Sequence, residues 1–305
     1  MWLIFAFLSA ALLGFYDTFK KKALTCNAVV PVLFLNTLFS SLIFLPFIIL
    51  SSQTSLLDGS MFHVPGGGWD VHKYIILKSC IVLSSWVFGY FGMKHLPLTI
   101  VGPINATRPV MVLVGALIVF AERLNLWQWI GVLLAVASFF MLSRSGRKEG
   151  IDFRRNHWIW MIVAAAVLGA VSGLYDKYLM APAADGGVGL DQMIVQSWYN
   201  IYQCLMMGVM LLFLWWPKRG HTTPFRWDWG IICVSVFLSA ADFVYFYSLS
   251  LPDAMISVVS MIRRGSVVVS FVFGAMMFHE KNLKSKVADL ALVLLGMAFL
   301  YIGSR

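Results

Sequence analysis

Three arginines occupy positions where a hydrophobic chain can least accommodate them. Arg263 and Arg264 lie side by side in an apolar stretch that follows Pro252, and Arg108 lies in another, eleven residues past Pro97 just as Arg263 lies eleven past Pro252. A guanidinium at mid-bilayer costs at least about 2.5 to 3.5 kcal/mol on insertion scales, so such a residue faces a watery cavity or an opposite charge and marks a substrate or ion path. Its planar fork of donors clamps a carboxylate or phosphate through two parallel hydrogen bonds. The chemistry on offer is anion binding. Asp242, a further charge in mid-stretch, is the natural partner for Arg263 or Arg264. Neighbouring helix positions point about 100 degrees apart, so one arginine can meet Asp242 while the other faces a cavity.

Asp17 and Asp176 are candidates of a second kind. A carboxylate enclosed in a cavity can take up and release protons near neutral pH, which is what proton coupling requires. They also have a plainer use as interfacial salt bridges near span ends, because Lys20 and Lys21 follow Asp17 at helical ion-pair spacing and Lys177 adjoins Asp176. Asp242 is the better proton carrier unless an arginine holds it. Glu122 and Glu280, beside Arg123 and Lys281, suit helix ends and gating contacts more than substrate. Gln196, Tyr199, Asn200 and Gln203 recur at three- and four-residue spacing and form one polar helix face, which lines the path or bonds another helix. Trp86, Tyr90, Tyr202, Tyr245 and Tyr247 add amphipathic rings to the candidate lining.

The elements that must position these residues are membrane helices. Hydrophobic residues make up 60% of the 305 positions and charged ones 12%, half the roughly 25% charged usage of a soluble domain. The apolar runs approach or exceed the roughly 20 residues of a spanning helix, and the ten-residue alternation of a barrel strand is absent. Apolar windows predict spans near 2–20, 28–50, 72–93, 97–121, 125–143, 157–179, 191–215, 228–250, 253–278 and 284–303. The run from Trp2 to Phe15 lacks a basic flank and a small-residue cleavage site, so it is expected to be the first span and not a signal peptide. Trp127, Trp129, Trp158, Trp160, Trp215, Trp216, Trp227 and Trp229 fall at span ends as an interfacial belt. Isolated cysteines, unclustered histidines and the lack of a Walker-type loop or catalytic constellation give no reason to expect a metal, a cofactor or an enzyme.

The second half repeats the first. Ala6, Ala10 and Gly14 precede Tyr16-Asp17, and Ala165, Gly169 and Gly173 precede Tyr175-Asp176, each pair 159 residues apart. Leu96-Pro97 matches Leu251-Pro252, and Phe120-Ala-Glu122 matches Phe278-His-Glu280. Two five-span units, residues 1–146 and 147–305, are the simplest account, and an odd number of spans per unit turns them over relative to each other. The expected fold is an all-α polytopic membrane bundle of ten transmembrane helices built from two inverted five-helix repeats, with the site near the midplane between them. The paired halves, the Leu-Pro that opens spans four and nine and the Phe-x-Glu that closes them resemble the drug/metabolite transporter superfamily, in its ten-span EamA-like branch. The resemblance covers nearly the whole chain and implies export or exchange of small metabolites by alternating access, without ATP hydrolysis. In placement, Arg108 and the Arg263-Arg264 pair also resemble the cationic residues with which organic-phosphate antiporters of that superfamily hold phosphate.

Lysine and arginine crowd one side of the predicted spans. Lys20, Lys21, Lys22, Lys94, Arg144, Arg147, Lys148, Arg154, Arg155, Lys218, Arg219, Arg226, Lys281, Lys284 and Lys286 fall there, against Lys73, Arg123, Lys177 and Arg305, with Lys78 marginal, on the other. The positive-inside rule then places both termini and the loop from Ser51 to Val71 outside, a departure from the cytoplasmic termini usual in the resembling family. The net charge of +9 resides in these loops and suits anionic lipid headgroups, not nucleic acid. The expectation is an integral protein of a bacterial inner (plasma) membrane, monomer or homodimer. It would export or exchange a small anionic or zwitterionic metabolite, with protons or a counter-substrate as partner. Three alternatives stay open on sequence: an exporter of neutral or cationic compounds, a flippase for lipid-linked intermediates, and a receptor or scaffold without flux.

Overall fold

The structure, a computed structural model, describes residues 2–108, 110–112, 155–180, 186–250, 262–263, 265–278 and 283–303, together with residue 259 and several positions between 125 and 141. Among these residues all regular structure is helical: α1 (Trp2–Leu24), α2 (Val29–Gln53), α3 (Trp69–His95), α4 (Leu98–Ala106), α5 (His157–Met180), α6 (Gln192–Met210), α7 (Gly230–Ser250), α8 (Ser266–Phe278) and α9 (Leu283–Gly303). Five are long and apolar enough to cross a membrane: α2, α3, α5, α6 with its continuation to Lys218, and α7. The outward surfaces of the helices carry large apolar side chains such as Phe7, Leu42, Leu45, Leu205 and Phe213, while Ser9, Asn36, Thr37, Gln196 and Ser197 are buried. Polar groups turn inward because lipid offers them no hydrogen bonds.

Local chemistry sets the helix ends. Asp191 caps α6 by accepting from the Met193 amide at 2.6 Å, one of the orphan donors of a helix start. α4 opens directly after Leu96-Pro97. It breaks off at a turn on Thr107, with helical geometry resuming at Arg108. The next residue, Pro109, has no N–H to offer the Asn105 carbonyl, which accounts for the break. A second break falls beside Arg263, where the Gly265 amide closes a turn on the Ile262 carbonyl at 2.8 Å before α8 begins.

The principal pairings run α1 with α7, α3 with α5 and α2 with α6, followed by α1 with α8, α2 with α7, α4 with α8 and α3 with α6, and then α4 with α5 and with α9. The pairings among α1–α8 in this set are unchanged when α1–α4 trade places with α5–α8; α4 with α9 has no counterpart among the described helices. Between α2 and α6, Ser41 Oγ donates to the carbonyl of Asn200, 159 residues away, at 2.9 Å. Gly14 lets α1 approach α8: a Cβ there would lie 2.5 Å from Val269 Cβ and 2.9 Å from the Ser266 carbonyl oxygen.

Two apolar clusters bracket the middle of the bundle. One gathers Leu24, Met93, Leu96, Ile162 and Ile231, and the other Phe44, Val64, Ile75, Leu179 and Val195. Beside the first, basic loops are tied together. Lys21 Nζ donates to the Met93 and Leu96 carbonyls, both at 2.7 Å, Lys94 Nζ reaches Thr223 Oγ1 at 2.8 Å, and Asn27 Nδ2 donates to the Arg226 carbonyl at 2.7 Å.

Candidate functional site

Between the two clusters lies a cavity of about 1330 Å³, its open mouth included. Its lining on α3 runs from Lys78 to Met93, about 22 Å of helix at 1.5 Å per residue. Helices of both halves of the chain contribute, and among the described residues seven charged side chains face in: Asp17, Lys20, Lys78, Arg108, Asp176, Asp242 and Arg263.

Six of the seven form three pairs, as burial of charge demands. Lys20 Nζ meets Asp17 Oδ1 at 2.8 Å within α1, and lies 4.2 Å above the Tyr16 ring. Lys78 on α3 pairs with Asp176 on α5, and its ammonium lies 5.3 Å from the rings of Tyr199 and Phe246. Arg263 pairs with Asp242 on α7 and stacks 4.2 Å over Tyr245, while Tyr199 donates to the second Asp242 oxygen at 2.8 Å. At the Lys20 end, Tyr16 donates to the Tyr90 hydroxyl at 3.3 Å, and Asn36 Nδ2 donates to the same oxygen at 3.1 Å.

Arg108 is held differently. Its Nη2 makes a long 3.4 Å contact with the Ala165 carbonyl, its buried Nε has no hydrogen-bond partner, and no carboxylate among the described residues pairs with it. The guanidinium lies flat against α5 where Gly169 leaves room; a Cβ there would lie 2.7 Å from Arg108 Cζ. The small-residue stripe of span six thus seats a side chain and does not serve helix packing alone.

Of the residues singled out in the sequence, Arg108, Arg263, Asp17, Asp176, Asp242, Tyr90, Tyr199, Tyr245 and Trp86 line the cavity, whereas Tyr202 and Tyr247 do not. Gln196, Asn200 and Gln203 do not: Gln196 Nε2 donates to the Ser239 carbonyl on α7 at 3.3 Å, Asn200 Nδ2 donates to the Gln196 carbonyl at 2.9 Å, and Gln203 is fully buried. The polar face of α6 therefore divides, with Tyr199 on the cavity and the other three in helix packing. Asp176 takes Lys78 as its partner, inside the cavity and not at the interface expected for it. Lys20, counted with the loop charges, and Lys78, a marginal outer charge, both belong to the cavity wall. Arg264, Glu122 and Glu280 lie outside the described residues. Sequence reasoning missed Lys78 and Gly169 as site residues. Lys78 did carry a signal, since it sits nine residues inside a helix that starts at Trp69.

Residues 1–144 match the EamA-like transporter family, part of the drug/metabolite transporter superfamily. The match covers 144 of the 305 residues. The family is one of membrane transporters, and its match together with the apolar helices makes this an integral membrane protein. A solved crystal structure, titled only as that of a protein, is similar over 98% of this chain and 96% of its own, with 13% sequence identity and a TM-score of 0.66. That likeness shows a fold in common with that structure over nearly the whole chain and carries no function. No curated protein matches the sequence.

Proposed function

We propose that the protein is a secondary transporter that exports or exchanges a small anionic or zwitterionic metabolite by alternating access, through the cavity between two inverted halves, residues 1–146 and 147–305. The observation that carries this reading is the cavity itself, a charged, hydrated-scale space walled by helices of both halves inside a lipid-facing bundle. Charges at such a depth mark transport pathways. The two-half plan is supported by the exchangeable set of helix neighbours and by the Ser41 to Asn200 bond between residues 159 apart. The family match also ends at residue 144, close to the boundary between the units. Breaks in the helices beside Arg108 and Arg263 suit the discontinuous spans that form midplane sites in such transporters.

Corresponding tyrosines of the two halves make different contacts. Tyr16 and Tyr90 are hydrogen-bonded with Lys20 near both rings, whereas the corresponding Tyr175 donates to the Tyr74 carbonyl at 3.3 Å and Tyr245 lies under Arg263. Exchange of these two arrangements between the ends is the step that alternating access requires. Asp242 is the coupling candidate of most interest, because loss of its charge would release Arg263; Asp17 and Asp176 stand in the same relation to Lys20 and Lys78. The basic end is assigned to the cytoplasm, with both termini outside.

Reconstitution tests the reading. Purified protein in proteoliposomes, offered a mixture of small anionic and zwitterionic metabolites, is expected to give saturable uptake of one class and counterflow against it. Compounds that bind the protein yet never cross the bilayer would make it a receptor and sink the proposal.

A further inference from the structure

Charge asymmetry between the halves singles out one residue. Arg108 and Arg263 are 155 residues apart, as are Tyr90 and Tyr245, yet the position that corresponds to Asp242 is Val87. The second half thus supplies its arginine with a carboxylate and the first half does not. Among the described lining residues, four cations face three carboxylates, each carboxylate is engaged by another cation, and Arg108 is the surplus. Its Nε is enclosed without a partner and its Nη2 has only the 3.4 Å contact with the Ala165 carbonyl, so the guanidinium must turn from α5 to present both donors to a carboxylate. A donor left enclosed and unpaired, as Nε is, is costly unless something else satisfies it. Gly169 meanwhile seats it against α5.

Resting on the transport reading of this cavity, we infer that its ligand is a monoanion with a planar apolar body: the negative group docks on Arg108, and the body lies against the aromatic wall. That wall consists of Tyr16, Trp86, Tyr90, Tyr199, Tyr245 and Phe246. A dianion would need a second cation and would have to break an existing pair to obtain one. A cation would enter a lining with one excess positive charge. Gly169 is then a positioning residue for Arg108.

Calorimetric titration of the full chain in nanodiscs tests this with one isosteric series: naphthoate, its neutral amide, the corresponding naphthylmethylammonium, and a naphthalene dicarboxylate. Naphthoate is expected to bind at least tenfold more tightly than the other three. Arg108→Gln should weaken naphthoate tenfold or more and leave the amide unchanged, while Arg108→Lys restores part of the loss because it keeps the charge without the fork. Gly169→Ala, a milder change that shifts the guanidinium, should act in the same direction with the melting temperature preserved. Failure of naphthoate to bind, equal binding of the ammonium compound, or naphthoate affinity indifferent to both Arg108→Gln and Gly169→Ala would overturn the inference. Arg108-dependent binding of a compound that is never transported would instead remove the transport reading and leave the ligand class standing.

Discussion

Loss of the carboxylate of Asp242 should be felt in stability before it is felt in transport. Asp242→Asn keeps the shape of the side chain and an acceptor for Tyr199, but leaves Arg263 facing a neutral amide. Removing one member of a buried ion pair costs about 3 to 5 kcal/mol, since the other charge stays behind uncompensated. The side chains of Arg263 and Asp242 are 11% and 12% exposed, at the edge of a cavity, so the low end of about 3 kcal/mol applies. At about 2 °C per kcal/mol for a large chain, the melting temperature should fall by roughly 6 °C. Tryptophan fluorescence of detergent-purified protein during a thermal ramp would measure it. The double replacement Asp242→Leu with Arg263→Met should melt near the unaltered protein, because exchanging a whole buried pair for apolar residues is often neutral. Two single replacements that each melt like the unaltered protein, or a double that falls by the sum of the singles, would refute the coupling.

Gly14→Ala should destabilise by about 1 to 3 kcal/mol, the usual penalty for an inserted methyl in a packed interface, because its Cβ would lie 2.5 Å from Val269 Cβ. Combining it with Val269→Ala should recover much of that loss in the same melting assay, and no recovery would place the strain elsewhere. A cysteine introduced at Ser304 should react with an impermeant maleimide in intact cells, as the proposed orientation with the basic loops in the cytoplasm requires; a site labelled only after lysis would reverse the orientation.

The helices were legible because lipid imposes a simple rule on them. The windows at 28–50, 157–179 and 284–303 lie within a few residues of Val29–Gln53, His157–Met180 and Leu283–Gly303. That Asp242 would pair with Arg263 or Arg264 was legible for a related reason, since opposite charges in apolar stretches have few other ways to be satisfied; the choice of Arg263 came from the structure. Lys78 was not, because its meeting with Asp176 depends on α3 lying along α5, and no spacing within either segment records that contact. The face of α6 misled for a similar reason. Periodicity says that Gln196, Tyr199, Asn200 and Gln203 share a side, but not that α7 covers part of it and the cavity the rest. Gly169 resembled any small residue in a packing stripe until a guanidinium was found against it.

The bond from Ser41 to Asn200 has a consequence for motion. In the proposed cycle, an operation that swaps the halves carries most contacts to new places, but one between corresponding residues returns to itself. This contact is then a fulcrum. Displacement should be small around it and grow with distance along α2 and α6, so spin labels near it would report little while labels at the Tyr16 and Tyr175 ends would report opposite swings.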